Sequence, residues 1–200
     1  MPAPTAAGPG PQGEDRRGRP RGADGALAPG GGTAYGMGVL RIPPRLLDEL
    51  RRHGEESYPE ESCGVLLGRR RGGAGEVGEV VRCANARAGA SSGRYEIDPR
   101  DLLAARKRAR AGGREIVGFY HSHPDHPARP SPTDLAEAHW LGCSYVVTAV
   151  AAGRAGATAS FLLAGGGEED KHFRDEELAA AEAGPGGEAA PAVPAGGGEW

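Results

Sequence analysis

The sequence predicts a single-domain α/β protein in which a mixed, curved β-sheet is flanked by helices. Short apolar runs of strand length alternate along the chain with segments whose apolar residues recur at helical spacing. Some neighbouring strand-like runs are joined by glycine-rich turns, which is typical of antiparallel hairpins. The sheet should therefore combine such hairpins with strands that are connected through helices.

Composition places this domain between two tails. Glycine and proline number 35 and 17 among 200 residues, and they are concentrated near the two ends of the chain. Residues 1–36 and 184–200 contain few large apolar side chains, so burial cannot offset the entropy lost on ordering. We expect both segments to be disordered and the domain to span residues 37–183.

Charge and cysteine content narrow the function class. The formal net charge of −3 argues against an obligate nucleic-acid binder. No apolar run approaches the ~20 residues needed to span a bilayer, and no signal peptide is recognised, so no membrane association is expected. Cys63, Cys83 and Cys143 lack a CxxC pattern, which favours buried free thiols in a reducing cytoplasm. Nothing in the sequence specifies an oligomeric state.

Apolar spacing and breaker residues define the elements of the first half. Proline is tolerated in the first turn of a helix, while glycine-rich stretches are typical of turns. The predicted order is a strand over 39–42, a helix opened by Pro43-Pro44, strands over 61–68 and 77–83 joined by a turn over 69–75, a loop over 84–93 and a brief strand over 95–97.

The second half is divided in the same way. Asp98 and Ser131 are suited to cap helices, because each immediately precedes a proline. The predicted order is a helix from Asp98-Pro99 to Gly112-Gly113, a strand over 116–121, a proline-rich loop, a helix from Ser131-Pro132 past Trp140 to about Gly142, strands over 145–150 and 158–163, and a weak helix over 176–183.

The segment from His121 to Asp134 carries residues suited to bind a metal. In a strand, residues i and i+2 face the same side, so His121 and His123 present two imidazoles together. Asp134 lies in the first turn of the next helix, and a proline-stiffened loop can return its carboxylate as a third ligand. Two histidines and one carboxylate leave one position of tetrahedral zinc for water, which is the pattern of a catalytic site.

Zinc chemistry at such a site has further requirements. Zinc lowers the pKa of its bound water to about 7, which makes hydroxide available near neutral pH. A nearby carboxylate must take the proton of this water and return it to the leaving amine. A hydrogen-bond donor must stabilise the tetrahedral oxyanion.

With this segment, the sequence resembles the JAMM (MPN-plus) metallopeptidases. The family pattern is a distant Glu, then His-x-His-Pro, a spacer, Ser, two residues and Asp. Here His121-x-His123-Pro124 is followed by six residues, Ser131, two residues and Asp134. The resemblance covers about residues 39–163 and implies the family's cytidine-deaminase-like α/β fold.

The resemblance also implies roles for individual residues. His121, His123 and Asp134 would hold one zinc ion per chain. Glu61, which begins an apolar run after a helix, would be the general base and acid, and Ser131 would hydrogen-bond the oxyanion. The adjacent Glu60 would point to the opposite face of a strand, and the family resemblance favours Glu61 over it.

Three further segments resemble the short bacterial branch of this family. Members of that branch act on small ubiquitin-like sulfur-carrier proteins. They cut after the C-terminal Gly-Gly and release an attached residue such as cysteine, which links them to cysteine biosynthesis. The resemblance therefore implies a zinc-dependent peptidase or isopeptidase. The three segments are Arg41-Ile-Pro, the Pro-Glu-Glu-Ser-Cys-Gly run over 59–64, and Tyr95-x-Ile-Asp98-Pro99.

Two other functions remain open at the level of sequence. JAMM-like domains without metal ligands serve as scaffolds, but here the ligand set is complete. Related cell-wall peptide hydrolases use the same site, yet often carry a second catalytic domain, for which this chain has no room.

Several residues near the motif also have structural interpretations. Ser131 can serve only as a helix cap, or combine this with a catalytic role. Cys63 shares a face with Glu61 but is best explained as a small core residue, and Asp125 and His126 as solvated loop residues. The run Arg69–Arg71 is typical of a solvated turn, with contact to an acidic carrier protein as the alternative.

Overall fold

The computed structural model describes residues 38–89 and 94–181. The two tails predicted at residues 1–36 and 184–200 lie outside this part of the chain. Within it, the apolar runs form strands and the amphipathic segments form helices. In chain order the elements are β1 (Val39–Ile42), α1 (Pro44–Ser57), β2 (Cys63–Arg71), β3 (Ala74–Cys83), α2 (Pro99–Ala111), β4 (Glu115–Pro124), α3 (Pro132–Glu137), β5 (Ser144–Ala151), β6 (Arg154–Ala164) and β7 (His172–Ala180).

The strands form one mixed sheet, as the sequence predicts, but the sheet curls until it closes into a barrel. Its strand order is β1-β3-β2-β4-β5-β6-β7, and β1 also pairs with β7. The pairs β1–β3, β1–β7 and β4–β5 are parallel, whereas the remaining pairs are antiparallel. Closure leaves the four-residue β1 hydrogen-bonded on both sides.

The predicted helix over residues 176–183 is wrong. Residues up to Ala180 belong to β7, Ala181 follows it, and the last two residues of the predicted helix lie outside the described part. Alanine and glutamate favour helices intrinsically, but β7 gains backbone hydrogen bonds from both neighbours, β6 and β1. Tertiary pairing therefore overrides local preference.

Several boundaries also differ from the prediction, and the brief strand predicted over 95–97 is only an isolated bridge between Ile97 and Asn85. The predicted turn over 69–75 shrinks to Gly72 and Gly73, whose positive φ angles of 57° and 85° suit glycine, and the flanking residues extend β2 and β3. The helix after Ser131 ends at Glu137 instead of about Gly142. It ends early because Trp140 leaves the helix path to pack edge-on against Phe119 at 5.3 Å.

Alternation along the central strands separates two apolar clusters. On one face, Leu46 and Leu50 of α1 pack with Tyr120 of β4. On the other face, Ala105 and Ala109 of α2 pack with Phe119 of β4. Among the described residues, no helix combines the length and apolar character needed to cross a bilayer.

Candidate metal centre and active site

The two motif histidines lie near the end of β4, a strand held on both sides. β4 pairs with β2 and β5, and His121 is opposite Cys63 on one side and Val147 on the other. The predicted strand ended at His121, but β4 continues to Pro124 and thus includes His123. Both side chains are buried and share a face because their positions differ by two.

Asp134 is oriented by the start of α3. The Ser131 hydroxyl oxygen accepts a hydrogen bond from the Asp134 backbone N–H at 3.1 Å, and the Asp134 carboxylate accepts one from the Ser131 N–H at 2.5 Å. This reciprocal pair is a capping box with aspartate at its third position. The cap thereby holds the carboxylate near the start of the helix, facing the histidines.

The three side chains converge on one point. The His121 and His123 Nε2 atoms are 3.0 Å apart, and they lie 3.5 and 3.3 Å from the two Asp134 carboxylate oxygens. One ligand atom from each residue falls within a group no more than 4.8 Å across. Two imidazole nitrogens and a carboxylate at these separations fit a divalent cation such as zinc.

Each imidazole also has a contact away from its Nε2 atom, and this contact fixes the orientation of the ring. The His123 Nδ1 lies 3.0 Å from the Pro127 carbonyl oxygen, so an N–H on Nδ1 leaves the Nε2 lone pair facing Asp134. The ring of Tyr95 stacks on His121, with centroids 4.5 Å apart and planes inclined by 22°. His121 is therefore held by ring packing, and His123 by a hydrogen bond.

The local electrostatics favour the metal-binding forms of His121 and Asp134, whereas they favour the protonated form of His123. Burial lowers the pKa of His121, which keeps its imidazole neutral. Burial also disfavours charge on His123, but hydrogen bonds to Asp134 and Pro127 outweigh it and raise its pKa. Burial opposes ionisation of Asp134, yet the hydrogen bonds to His121 and His123 hold its pKa well below the usual range. The carboxylate is thus the fixed negative charge of the centre.

The predicted strand over 61–68 begins at Glu61, but β2 begins at Cys63, so Glu61 lies two residues before it. Its side chain is 6% exposed, and its Oε2 has no hydrogen-bond partner among the described residues. Burial raises the pKa of Glu61 to about 7. The charge of His123 opposes this rise, and the charge of Asp134 adds to it. A carboxyl with this pKa is suited to exchange a proton near neutral pH.

The backbone around Glu61 is fixed by neighbouring polar groups. The Ser62 N–H donates to the Ser122 hydroxyl at 2.9 Å, and the Ser122 N–H donates to the Ser62 carbonyl at 3.1 Å. The Asn85 amide donates to the Glu61 carbonyl at 3.2 Å. These bonds tie the segment that carries Glu61 to the strand that carries the histidines.

Other residues considered in the sequence lie outside this cluster. Cys63 is fully buried, and burial raises the pKa of its thiol to about 12, as expected of a core residue. His126 is exposed. Asp125 is more than a loop charge, because it accepts hydrogen bonds from the Tyr58 hydroxyl and the Ala152 N–H at 2.9 and 3.0 Å.

The arginine run lies at the opposite end of β2. Cys63, at the start of the strand, pairs with His121, whereas Arg69–Arg71 ends the strand and pairs with the start of β3. Arg69 and Arg70 donate to the carbonyls of Gly113 and Val117 at 3.3 and 3.1 Å. The run is thus part of the hairpin and not of the predicted turn.

Sequence reasoning missed three residues that support the site. Tyr95 stacks on His121, Asn85 holds Glu61, and Pro127 accepts from His123. Tyr95 belongs to the segment resembling the bacterial branch, which offered a signal, although not one of contact with His121. Asn85 acts through its side-chain amide and Pro127 through its backbone carbonyl. Both lie in loops, where residue spacing does not predict such contacts.

Comparison with known proteins places this geometry in context. The profile of the family described as prokaryotic homologs of the JAB domain matches residues 43–163. This range contains Glu61 and the whole segment from His121 to Asp134.

Named relatives and a solved structure agree with that match. A protein of Thermus thermophilus named probable TtuB-protein conjugate cleaving protease is 39% identical over 109 residues, covering 54% of this chain and 69% of the relative. A Haloferax volcanii protein named desampylase is 33% identical over 102 residues, covering 51% and 71%. A solution structure from Desulfitobacterium hafniense matches with a TM-score of 0.62 and 31% identity, covering 74% of this chain and 94% of that one.

Proposed function

Because this chain belongs to the family of prokaryotic homologs of the JAB domain, we propose that it is a zinc-dependent peptidase. Its substrate is a conjugate of a small ubiquitin-like sulfur-carrier protein, and it hydrolyses the peptide or isopeptide bond after the carrier's C-terminal Gly-Gly. The proposal rests chiefly on the convergence of His121, His123 and Asp134 beside the buried carboxyl of Glu61.

In this proposal His121 and His123 hold the zinc through Nε2 and Asp134 holds it through its carboxylate. The chemistry that zinc supplies at such a site is Lewis-acid activation of water and of the scissile carbonyl. The Pro127 carbonyl keeps the proton of His123 on Nδ1, and the capping box keeps the carboxylate of Asp134 turned toward the imidazoles.

In this proposal Glu61 transfers a proton from water to the leaving amine. Its Oε2 is free of protein partners among the described residues, and burial raises its pKa to about 7 in the metal-free chain. The carboxylate form takes a proton from water at Oε2, and the carboxyl form returns that proton to the leaving amine.

Ser131 stabilises the negative charge that develops on the scissile carbonyl oxygen. A hydroxyl has one donor and two acceptor positions. Its oxygen already accepts from the Asp134 N–H, so its proton remains available to donate to the oxyanion while the cap stays intact.

The substrate assignment draws on the names of relatives. One relative is named for cleaving a TtuB–protein conjugate, which supports a protein conjugate as substrate class here. The released group is then an attached residue such as cysteine or a conjugated protein. The three free cysteines suit a reducing compartment, and we place the reaction in the cytoplasm.

The first test is metal content and cleavage measured on the same preparations. Wild type should carry about one zinc per chain and cleave sulfur-carrier fusions that end in Gly-Gly-X. His123→Ala should lose both properties, whereas Glu61→Gln should keep zinc and lose cleavage. His126→Ala, an exposed histidine three residues from His123, is the matched control and should keep both.

The outcomes separate the alternatives. If the wild-type protein holds no zinc after zinc has been supplied and the excess removed, the peptidase proposal is contradicted and a scaffold function is favoured. Zinc loss in Glu61→Gln equal to that in His123→Ala contradicts the role of Glu61 as base. Cleavage of cell-wall peptides without cleavage of carrier fusions contradicts the substrate class.

A further inference from the structure

A cavity of about 300 Å³ lies beside the candidate metal centre. Its volume is at the lower end of the range for small-molecule sites, and it has room for one large side chain. Six of the residues that line it are apolar or aromatic: Tyr95, Ile97, Leu102, Phe119, Trp140 and Tyr145.

The cavity adjoins the catalytic groups through shared residues. Tyr95 lines the cavity and also stacks on His121, with ring centroids 4.5 Å apart. Glu137 lines the cavity as well, and its charge raises the pKa of Glu61. A substrate whose scissile bond lies at the centre therefore passes close to the cavity.

The aromatic walls are held in place before any ligand binds. Phe119 contacts Trp140 edge-on at 5.3 Å and Tyr145 at 5.5 Å. The Trp140 backbone N–H donates to the Tyr145 hydroxyl at 3.2 Å, and the Arg106 guanidinium lies 5.8 Å from the Trp140 ring centroid. Binding of a side chain in this cavity therefore costs little free energy for ordering the walls.

Part of the cavity lining is charged, and the charged residues form ion pairs. Arg87 forms ion pairs with Glu96 at 2.9 Å and with Glu137 at 3.0 Å, which links the loop before α2 to α3. The charged part of the lining suits the polar backbone of a peptide, while the apolar and aromatic part suits a side chain without charge.

The chemistry of a Gly-Gly tail indicates which substrate residue fits. Two glycines offer no side chain, so the first side chain on the carrier's side lies three residues from the bond, roughly 10 Å along an extended chain. The residue after the bond carries its side chain directly beside the reacting atoms. The cavity is separated from the metal ligands by one stacked ring, which favours the residue after the bond.

We propose that this cavity receives the side chain of the residue that follows the scissile bond and selects a large apolar residue there, such as phenylalanine or leucine. This inference rests on the proposed function and extends it by naming the class of the released residue. Cysteine would fill the cavity only in part.

The test uses peptides of the form Y-Gly-Gly-X with X as phenylalanine, leucine, cysteine or glycine and Y as leucine or serine. Affinity is measured by calorimetry with zinc-loaded Glu61→Gln, which the proposal makes inactive, and cleavage with zinc-loaded wild type. Phenylalanine or leucine at X should bind on the order of tenfold or more tightly than glycine. Exchanging Y should change affinity less.

A cavity-filling variant ties this preference to the cavity. Leu102→Trp, introduced into Glu61→Gln and into wild type, should reduce the preference for phenylalanine over glycine to less than threefold. Leu103→Trp is the matched control, since Leu103 is the next residue on the same helix, is 53% exposed and does not line the cavity. If Leu102→Trp fails to fold, Ile97→Trp fills the cavity from the loop instead.

Equal affinity for phenylalanine and glycine at X would overturn the inference, as would a preference that both filling variants leave unchanged. A preference that follows Y and not X would assign the cavity to the carrier tail and likewise overturn it. Selective binding without any cleavage by zinc-loaded wild type would instead contradict the proposed function.

Discussion

At the scale of single residues, Ser131 combines a structural contact with a proposed catalytic one. Ser131 caps α3 through its hydroxyl oxygen and orients Asp134 through its backbone N–H, while its hydroxyl proton remains free for the proposed oxyanion contact. The sequence left the capping and catalytic roles of Ser131 open. The cap is observed, and the catalytic role stays a prediction.

Glycine at position 131 separates the two roles. Glycine is tolerated at a helix N-cap at a cost of a few tenths of a kcal/mol, but it has no hydroxyl to donate. Ser131→Gly should therefore unfold in urea almost as wild type does and lose roughly 10²–10³-fold in kcat. Ser131→Thr, which keeps the hydroxyl, is the control. Full activity in Ser131→Gly would leave Ser131 with the cap alone.

The raised pKa of Glu61 makes stability depend on pH in the metal-free protein. A pKa of about 7, against an ordinary value of 4.5, means that the native state binds this proton more tightly than the unfolded chain. Stability is therefore lost as pH rises from about 4.5 through 7. Between pH 5 and 8, Glu61→Gln should gain about 2 kcal/mol relative to wild type.

This comparison is made by urea unfolding in the presence of a chelator. Glu60→Gln is the control because Glu60 is the neighbouring carboxylate and is more exposed than Glu61. Its stability difference from wild type should not change between the two pH values. A constant difference for Glu61→Gln would mean that Glu61 is ionised at no cost in the native state.

At the scale of elements, the segment that carries Glu61 depends on close packing at the start of β2. A Cβ on Gly64 would lie less than 3.0 Å from the Tyr120 ring of β4 and from the Val81 carbonyl of β3. Glycine at this position lets three strands approach each other. The residue type therefore has a packing reason within the Glu-Ser-Cys-Gly run.

Gly64→Ala should destabilise the fold by about 1–3 kcal/mol, because a methyl group forced into a packed core moves side chains or backbone. Chemical denaturation measures the loss. Gly156→Ala in β6 is the matched control, since its Cβ would meet only the Ala149 carbonyl oxygen at 3.8 Å. Equal stability of the two variants would show that Tyr120 can move away without cost.

At the scale of the whole molecule, the proposed metal ligands come from two consecutive elements of different type. The histidines belong to β4 in the middle of the sheet, whereas Asp134 belongs to α3 and reaches them through the capping box. A metal that bridges these elements binds the folded chain and not the unfolded one. Folding and metal binding are therefore linked.

Zinc should consequently stabilise the chain against unfolding. At free zinc one hundred times the dissociation constant, the expected gain is about 2.7 kcal/mol. Thermal unfolding with buffered zinc should show a rise in Tm for wild type and for His126→Ala. His123→Ala should show no rise. A rise of the same size in His123→Ala would indicate zinc binding at another place.

By itself, the sequence determined the helices that begin at proline, most of the strands and the set of candidate site residues. These follow from local rules. Proline fixes φ at a helix start, apolar residues repeat with the period of the element, and the spacing from His121 to Asp134 matches a family whose membership the comparisons establish. Apart from Glu61, which the family resemblance identified upstream, these signals lie within short segments of the chain.

Tertiary structure alone decided three other features. β7 is a strand and not the predicted helix, because its hydrogen bonds go to β6 and β1, and β1 is more than a hundred residues away. The helix α3 ends at Glu137 because Trp140 packs on Phe119. Tyr95 stacks on His121, which lies on a different element of the fold. The physical reason is shared: the free energy that selects each conformation comes from contacts with residues distant in the chain, which local spacing does not encode.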